Sequence, residues 1–143
     1  MGRRTRAVGL VLAALLAVGL LSGCDGMSVN DMTQRVAGER AARGIPALQV
    51  DPGLSRKAQD WAEQLAATRS LRHSDLTVGV PDGWTSLAEN VGSGTSTADM
   101  HARFMASTLH RANILEPRSN RVGIGVATGS DGRLYVVEEF GGY

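Results

Sequence analysis

Hydrophobic residues recur at helical spacing in three stretches of this chain. The spacing predicts a first helix from about Val29 to Arg43, ended by Gly44 and Pro46. A second helix is predicted to open at Asp51-Pro52, because proline is tolerated at the first helical position. One face of this second helix is predicted to be core: Leu54, Ala58, Trp61, Ala62 and Leu65.

A third helix is predicted to begin near Ser96, with Asp99 as a capping acid in its first turn. Met100, Phe104 and Ser107 then share one side of it. Between residues 69 and 95 the periodicity disappears and glycine and proline mark loops. We therefore expect only short extended pieces in that segment.

Two strands are predicted near the end of the chain, Val122–Thr128 and Leu134–Phe140, joined as a hairpin by residues 129–132. Two glycines, Gly123 and Gly125, lie on one face of the first strand, where they cost strand stability. We expect a packed helix to approach the backbone there. Helices placed before an antiparallel hairpin predict the α+β class.

The N-terminus has the features of a bacterial lipoprotein signal peptide, predicted over residues 1–23. Three arginines precede an uncharged run from Ala7 to Leu21. This run is too short and too rich in glycine to span a membrane readily. The run ends in Leu21-Ser22-Gly23-Cys24, a lipobox pattern in which the cysteine is acylated. We expect Cys24 to anchor the protein to the membrane outside the cytoplasm, through a tether of residues 24–28.

Removal of residues 1–23 changes the charge of the protein. The precursor carries 15 basic and 14 acidic residues, and loss of three arginines leaves 12 against 14, a net charge of −2. Because the mature domain is slightly acidic, its charge gives no reason to expect nucleic-acid binding. Cys24 is the only cysteine, so no internal disulfide can form in the folded part.

The candidate chemistry rests on His73, Glu89 and His110. Two imidazoles and a carboxylate can bind zinc or another divalent metal ion, or can transfer protons near neutral pH. Ser107 lies three residues before His110, a spacing that allows a nucleophile–base pair, but no oxyanion hole is identifiable. His101 lies outside any motif and is expected to be exposed.

Several motifs in order resemble those of the CAP superfamily, named for cysteine-rich secretory proteins, antigen 5 and pathogenesis-related 1 proteins. They lie within residues 29–143, the predicted domain. The segments that carry the resemblance are Gly44-Ile45-Pro46-Ala47-Leu48, Arg72-His73-Ser74, Ala88-Glu89-Asn90-Val91, His110-Arg111-Ala112-Asn113-Ile114-Leu115, and the strands Val122–Val126 and Tyr135–Phe140.

The resemblance implies a three-layer α-β-α sandwich with a small antiparallel sheet, and a cleft containing His73, Glu89, Ser107 and His110. Many eukaryotic members carry a second glutamate where this chain has Ser107, whereas the bacterial branch commonly carries serine. The ligand set that the resemblance implies for a metal ion is therefore His73 and His110, with Glu89 orienting a histidine. Asn90 and Asn113 are expected to bind loop backbone.

Three functions are compatible with this sequence. The favoured one is a lipid-anchored domain that binds a lipid, a cell-wall ligand or a divalent metal ion in the cleft, with no catalytic step implied. The second is a metal-assisted hydrolase or protease that acts on envelope material. The third is a structural or interaction module of the envelope, in which the cleft residues only stabilise the fold.

Overall fold

A computed structural model describes residues 22–143, and describes side chains from Ser28 onward. The predicted signal peptide lies outside these residues except for its last two, and the side chain of Cys24 is also outside them. Helix α1 spans Ser22–Ala41, so it begins before the predicted start at Val29 and includes the predicted tether. No proline interrupts this stretch, and a turn at residues 42–44, with Gly44 at a φ of 66°, ends it.

The second and third predicted helices are confirmed. Helix α2 spans Pro52–Thr68, and the Asp51 side chain caps it by accepting from the amides of Gly53 and Leu54. Helix α3 spans Thr97–Ala106, with Ser96 as its cap. A short helix, α4, follows over Thr108–Ile114.

The sheet has four strands in the order β1-β3-β4-β2. The predicted hairpin is formed by β3, Arg121–Thr128, and β4, Leu134–Gly142. Two strands were not predicted: β1, Gln49–Val50, and β2, Ser86–Gly94. Because β1 pairs with β3 in parallel, the sheet is mixed and not wholly antiparallel.

Strand β2 corrects the expectation of loops between residues 69 and 95. It pairs antiparallel with β4 along all nine of its residues. Its sequence does not look like a strand, because polar residues and glycines fill it. The reason lies in packing: a side chain at Gly92 or Gly94 would collide with Met100 of α3.

Helices cover both faces of the sheet, as the α-β-α prediction requires. Helices α1, α3 and α4 cover one face over an apolar cluster: Met32, Val36, Met100, Phe104, Ile114, Val122, Ile124, Val126, Val136 and Phe140. Helix α2 covers the other face, against Ala127, Tyr135 and Val137. A Cβ at Gly123 or Gly125 would overlap the backbone of α2, which confirms the close helix approach.

The predicted core face of α2 is buried except at one position. Leu54, Ala58, Ala62 and Leu65 have no exposed surface. Trp61 is only half-buried, so its assignment to the core was wrong in part. Its indole packs against the cluster beneath α2 while its Nε1–H donates to the Arg72 carbonyl at 3.1 Å. This polar end keeps one side of the ring at the surface.

Arg40 joins α1 to the end of α4. Its side chain is fully buried, and its guanidinium donates to four carbonyl oxygens, those of Pro46, Ile114, Glu116 and Ser119, at 2.9–3.1 Å. Burial lowers the pKa of Arg40, and the charge of Glu116 opposes that shift. This contact fixes the exit of α4 and therefore the segment that carries His110.

No helix within residues 22–143 is both long and apolar enough to cross a membrane.

Candidate functional site

Glu89 and His73 are in direct contact at the edge of the sheet. Ala88 packs against the cluster under α1 and Val91 against the cluster under α2, so Glu89, which alternates with Ala88, faces the α2 side. Its buried carboxylate lies 2.6 Å from His73 Nδ1. The His73 side chain is 65% exposed, whereas that of Glu89 is fully buried. A buried carboxylate thus holds one nitrogen of an exposed imidazole.

The same carboxylate also fixes the backbone that carries His73. The amide of Ser74 donates to Glu89 Oε1 at 3.0 Å and to Oε2 at 3.3 Å. Residues 69–85 otherwise lack regular structure apart from turns. The orientation of His73 is therefore set by β2 through Glu89 and does not depend on a helix or strand of its own.

Two buried charged residues behind Glu89, Lys57 and Glu139, were not identified from the sequence. Lys57 Nζ lies 3.0 Å from Glu139 Oε1, and both side chains are almost completely buried. The ammonium group also donates to Ser74 Oγ at 2.6 Å and to the Asp75 carbonyl at 2.8 Å. Lys57 thereby ties the segment after His73 to both α2 and β4. The signal in the sequence was a pair of acidic residues inside an otherwise apolar strand.

Burial raises the pKa of Glu139 to about 7. The Lys57 ammonium opposes this shift, and the neighbouring Glu89 carboxylate adds to it. A second acid, Glu138, faces the other side of the sheet and is fully buried. Its desolvation raises its pKa to about 7, against the effect of a hydrogen bond from Asn90.

Ser107 and His110 lie at the junction of α3 and α4. Ser107 ends α3 and caps α4, and its Oγ accepts the backbone N–H of His110 at 3.4 Å. The hydroxyl is therefore used as a helix cap and not paired with the imidazole. The His110 ring packs edge-on against Phe104, with centroids 5.0 Å apart.

His110 and His73 lie close enough to influence each other. Burial lowers the pKa of His110, and the positive charge of His73 lowers it further. Asn90 Nδ2 donates to the His110 carbonyl at 3.1 Å, and Asn113 Nδ2 donates to Asn90 Oδ1 at 2.9 Å. Asn113 Nδ2 also lies 3.4 Å from the Glu89 carbonyl. These amides hold α4 against the same edge strand that presents Glu89.

The expectation for His101 was wrong. Only 7% of the residue is exposed, and its Nε2 lies 3.5 Å from Glu39 Oε1 between α3 and α1. Burial lowers the pKa of His101. The residue precedes Phe104 by one turn, so it lies at the margin of the buried face.

The arrangement brings two imidazoles and one buried carboxylate to one edge of the sheet. Among the side chains that the structure describes, from Ser28 onward, no group of three or more His, Cys, Asp or Glu is arranged to hold a metal ion. For a metal ion, His73 and His110 together would supply only two nitrogen ligands.

Known proteins resemble this chain in both sequence and fold. It is 28% identical over 116 residues to the human Golgi-associated plant pathogenesis-related protein 1, an alignment that covers 71% of this chain and 73% of that protein. An extracellular protein of Bacillus anthracis containing an SCP domain superimposes with a TM-score of 0.75 at 15% identity, covering 92% of this chain and 45% of that one. An outer surface protein of Borrelia burgdorferi superimposes with a TM-score of 0.71 at 17% identity, covering 80% of this chain and 92% of that one.

The family model of the cysteine-rich secretory proteins matches residues 33–140, a range that contains His73, Glu89, Ser107 and His110. This range extends from α1 to β4 and includes all buried members of both apolar clusters except Met32. The chain therefore belongs to the cysteine-rich secretory protein family and contains a CAP domain.

Proposed function

We propose that this protein is a lipid-anchored CAP domain outside the cytoplasm, and that it binds a divalent metal ion or a small ligand between His73 and His110. The observation that supports this proposal is the contact between His73 Nδ1 and the buried Glu89 carboxylate. An acceptor on Nδ1 fixes the tautomer and ring orientation, which leaves Nε2 to bind a ligand.

The residues present fit a weakly held metal ion. Histidines that bind metals commonly donate their other ring nitrogen to a carboxylate, and Glu89 supplies that acceptor. His73 and His110 would hold the ion, and oxygen atoms of a ligand or of water would complete its coordination. A bound divalent ion would act as a Lewis acid and attract an anionic or carbonyl oxygen.

Glu89 serves the cleft better as an orienting group than as a ligand. Its carboxylate already accepts from His73 and from the Ser74 amide, and its side chain has no exposed surface. Glu89 therefore fixes the direction of the imidazole without reaching solvent itself. Ser107 contributes a wall and a helix cap, and nothing in its contacts favours a nucleophile.

Cys24 supports the location. It follows an uncharged stretch and small residues in the order that lipoprotein signal peptidases require, and helix α1 continues directly from it into the domain. The domain would then lie close to the membrane surface. The extracellular and outer-surface proteins among its structural relatives agree with this location.

Metal analysis and calorimetric titration with Zn²⁺ test the cleft. We expect one ion per chain for the unaltered protein, and loss of measurable binding for His73→Ala and for His110→Ala. Leu109→Ala is the matched control, because Leu109 is 78% exposed and adjoins His110 without taking part in the cleft. Unchanged zinc binding in both histidine variants would place the ion elsewhere and disprove this assignment.

A further inference from the structure

A groove lies on the outer side of α2, against the segment that follows His73. Its volume is about 620 Å³, and its walls come from α2 and from residues 74–79. That volume falls within the range of about 300–1,000 Å³ typical of small-molecule sites. Neither Glu89 nor His110 lines it. The groove is therefore distinct from the site at His73, Glu89 and His110.

One wall of the groove is a row of polar side chains with no partners. Arg56, Asp60 and Gln64 are exposed and stand at intervals of four residues, so they align along one face of α2. None of the three makes a side-chain hydrogen bond or ion pair with the part of the chain whose side chains are described, Ser28 onward. They offer guanidinium donors, a carboxylate acceptor and an amide that both donates and accepts.

The inner part of the groove is held rigidly. Lys57 Nζ is bound to Glu139, to Ser74 and to the Asp75 carbonyl, so its hydrogen atoms are already used. The Trp61 indole is fixed by its hydrogen bond to the Arg72 carbonyl and by the Arg72 guanidinium, 4.8 Å from the ring centroid. Because these side chains are already held in place, little conformational entropy is lost in ordering them when a ligand binds.

The charges of the groove disfavour anionic ligands. Its lining contains two basic residues, Arg56 and Lys57, and two acidic ones, Asp60 and Asp75. Because Lys57 is already paired with Glu139, Arg56 remains with two carboxylates, and a phosphate gains nothing from this field. An acyl chain would make no use of the polar row. A neutral molecule with an apolar face and several hydroxyl groups complements both walls.

We propose that this groove binds a pyranose unit of a neutral oligosaccharide. The C–H face of the sugar would lie against the exposed Val78 and against the part of the Trp61 indole that lines the groove beside Arg72. Its hydroxyl groups would donate to Asp60 and exchange hydrogen bonds with Gln64 and Arg56. This site does not depend on metal or ligand binding at His73 and His110.

Tryptophan fluorescence provides a direct test, because the chain contains only two tryptophans. Trp84→Phe leaves Trp61 as the single indole reporter. The full chain, in a detergent without a sugar headgroup, is titrated with chitotriose, cellotriose and maltotriose. We expect at least one of them to produce a saturable change, and the double variant Asp60→Ala, Gln64→Ala to weaken that binding at least tenfold.

Two controls separate this site from others. Glu63→Ala alters an exposed residue of the same helix outside the groove and is expected to bind the sugar unchanged. His110→Ala is also expected to bind it unchanged, so failure of the metal proposal leaves this one intact. Absence of any response at millimolar sugar, full binding by the double variant, or an equal response to inorganic phosphate would each overturn the proposal.

Discussion

Glu89 and Glu139 are directly opposite each other on the antiparallel strands β2 and β4. Like charges in that position repel, and both carboxyl groups are buried. Lys57 balances them, since its ammonium lies 3.0 Å from Glu139. The position of Glu89, and through it of His73, thus depends on a cation contributed by the helix on the same face.

Replacing Lys57 by methionine leaves Glu139 buried without a cation. We expect Lys57→Met to lower the free energy of unfolding by about 3–5 kcal/mol near neutral pH, as for other broken buried pairs. The loss is expected to be larger at about pH 8 than at about pH 5, because a protonated Glu139 needs no cation. Urea denaturation at both pH values measures this.

Arg56→Met is the matched control, because Arg56 adjoins Lys57 on the exposed face of α2. Its effect is expected to stay within about 0.5 kcal/mol. An equal loss for Lys57→Met at both pH values would contradict the role of the ion pair.

Glu138 makes the stability of the domain depend on pH. Its pKa is raised from 4.5 to about 7 in the folded state by burial, so between these values the folded protein keeps a proton that the unfolded chain releases. The contribution of this group is fully present below pH 4.5 and is lost as the pH rises towards about 7.

Glu138→Gln removes this titration while retaining an acceptor for Asn90. We expect the variant to gain stability relative to the unaltered protein as the pH rises through this interval. Thermal denaturation across the interval measures the difference. Parallel curves for the two proteins would show that Glu138 has an ordinary pKa.

Glycine substitutions test the contact between α2 and the sheet. Gly125→Ala places a methyl group against the backbone of Ala58, so we expect a loss of about 1–3 kcal/mol or more. Gly38→Ala meets nothing within 4 Å on α1 and is expected to stabilise the domain by about 0.5–1 kcal/mol. Denaturation midpoints compare the two, and a harmless Gly125→Ala would mean that α2 lies farther from β3.

Cys24→Ala tests the membrane anchor. We expect the variant to leave the membrane fraction or to remain unprocessed, because the acylated thiol is lost. Fractionation and intact mass measure both outcomes, and the Leu109→Ala protein serves as the membrane-bound control. An unmodified thiol on the mature, unaltered protein would disprove lipidation.

The sequence predicted those elements whose residues carry their own periodicity. Helix α2 and the hairpin of β3 and β4 were predicted because apolar spacing and turn residues specify them locally. Strand β2 was missed because its pairing with β4 and the packing of Met100 on its glycines specify it, and neither is local. Tertiary context overrode the local preference there.

The candidate residues divide in the same way. His73, Glu89 and His110 lie in recognisable motifs. The sequence around Lys57, in contrast, is that of an ordinary polar position in an amphipathic helix. Only the fold shows that this lysine is buried against Glu139. His101 was assigned to the wrong environment and Trp61 only partly to the right one, because both lie at the margin of a helical face, where spacing alone does not decide exposure.

Arg40 gives the joint between α1 and α4 a different sensitivity to acid from that of the buried glutamates Glu138 and Glu139. Carbonyl oxygens, not carboxylates, accept the hydrogen bonds of its guanidinium. These acceptors do not titrate, so acidification that protonates the buried Glu138 and Glu139 leaves this joint unchanged. In an acidic compartment protons would compete with the proposed metal ion for imidazole nitrogens while the scaffold that holds His110 kept its shape, and binding would return on neutralisation without refolding.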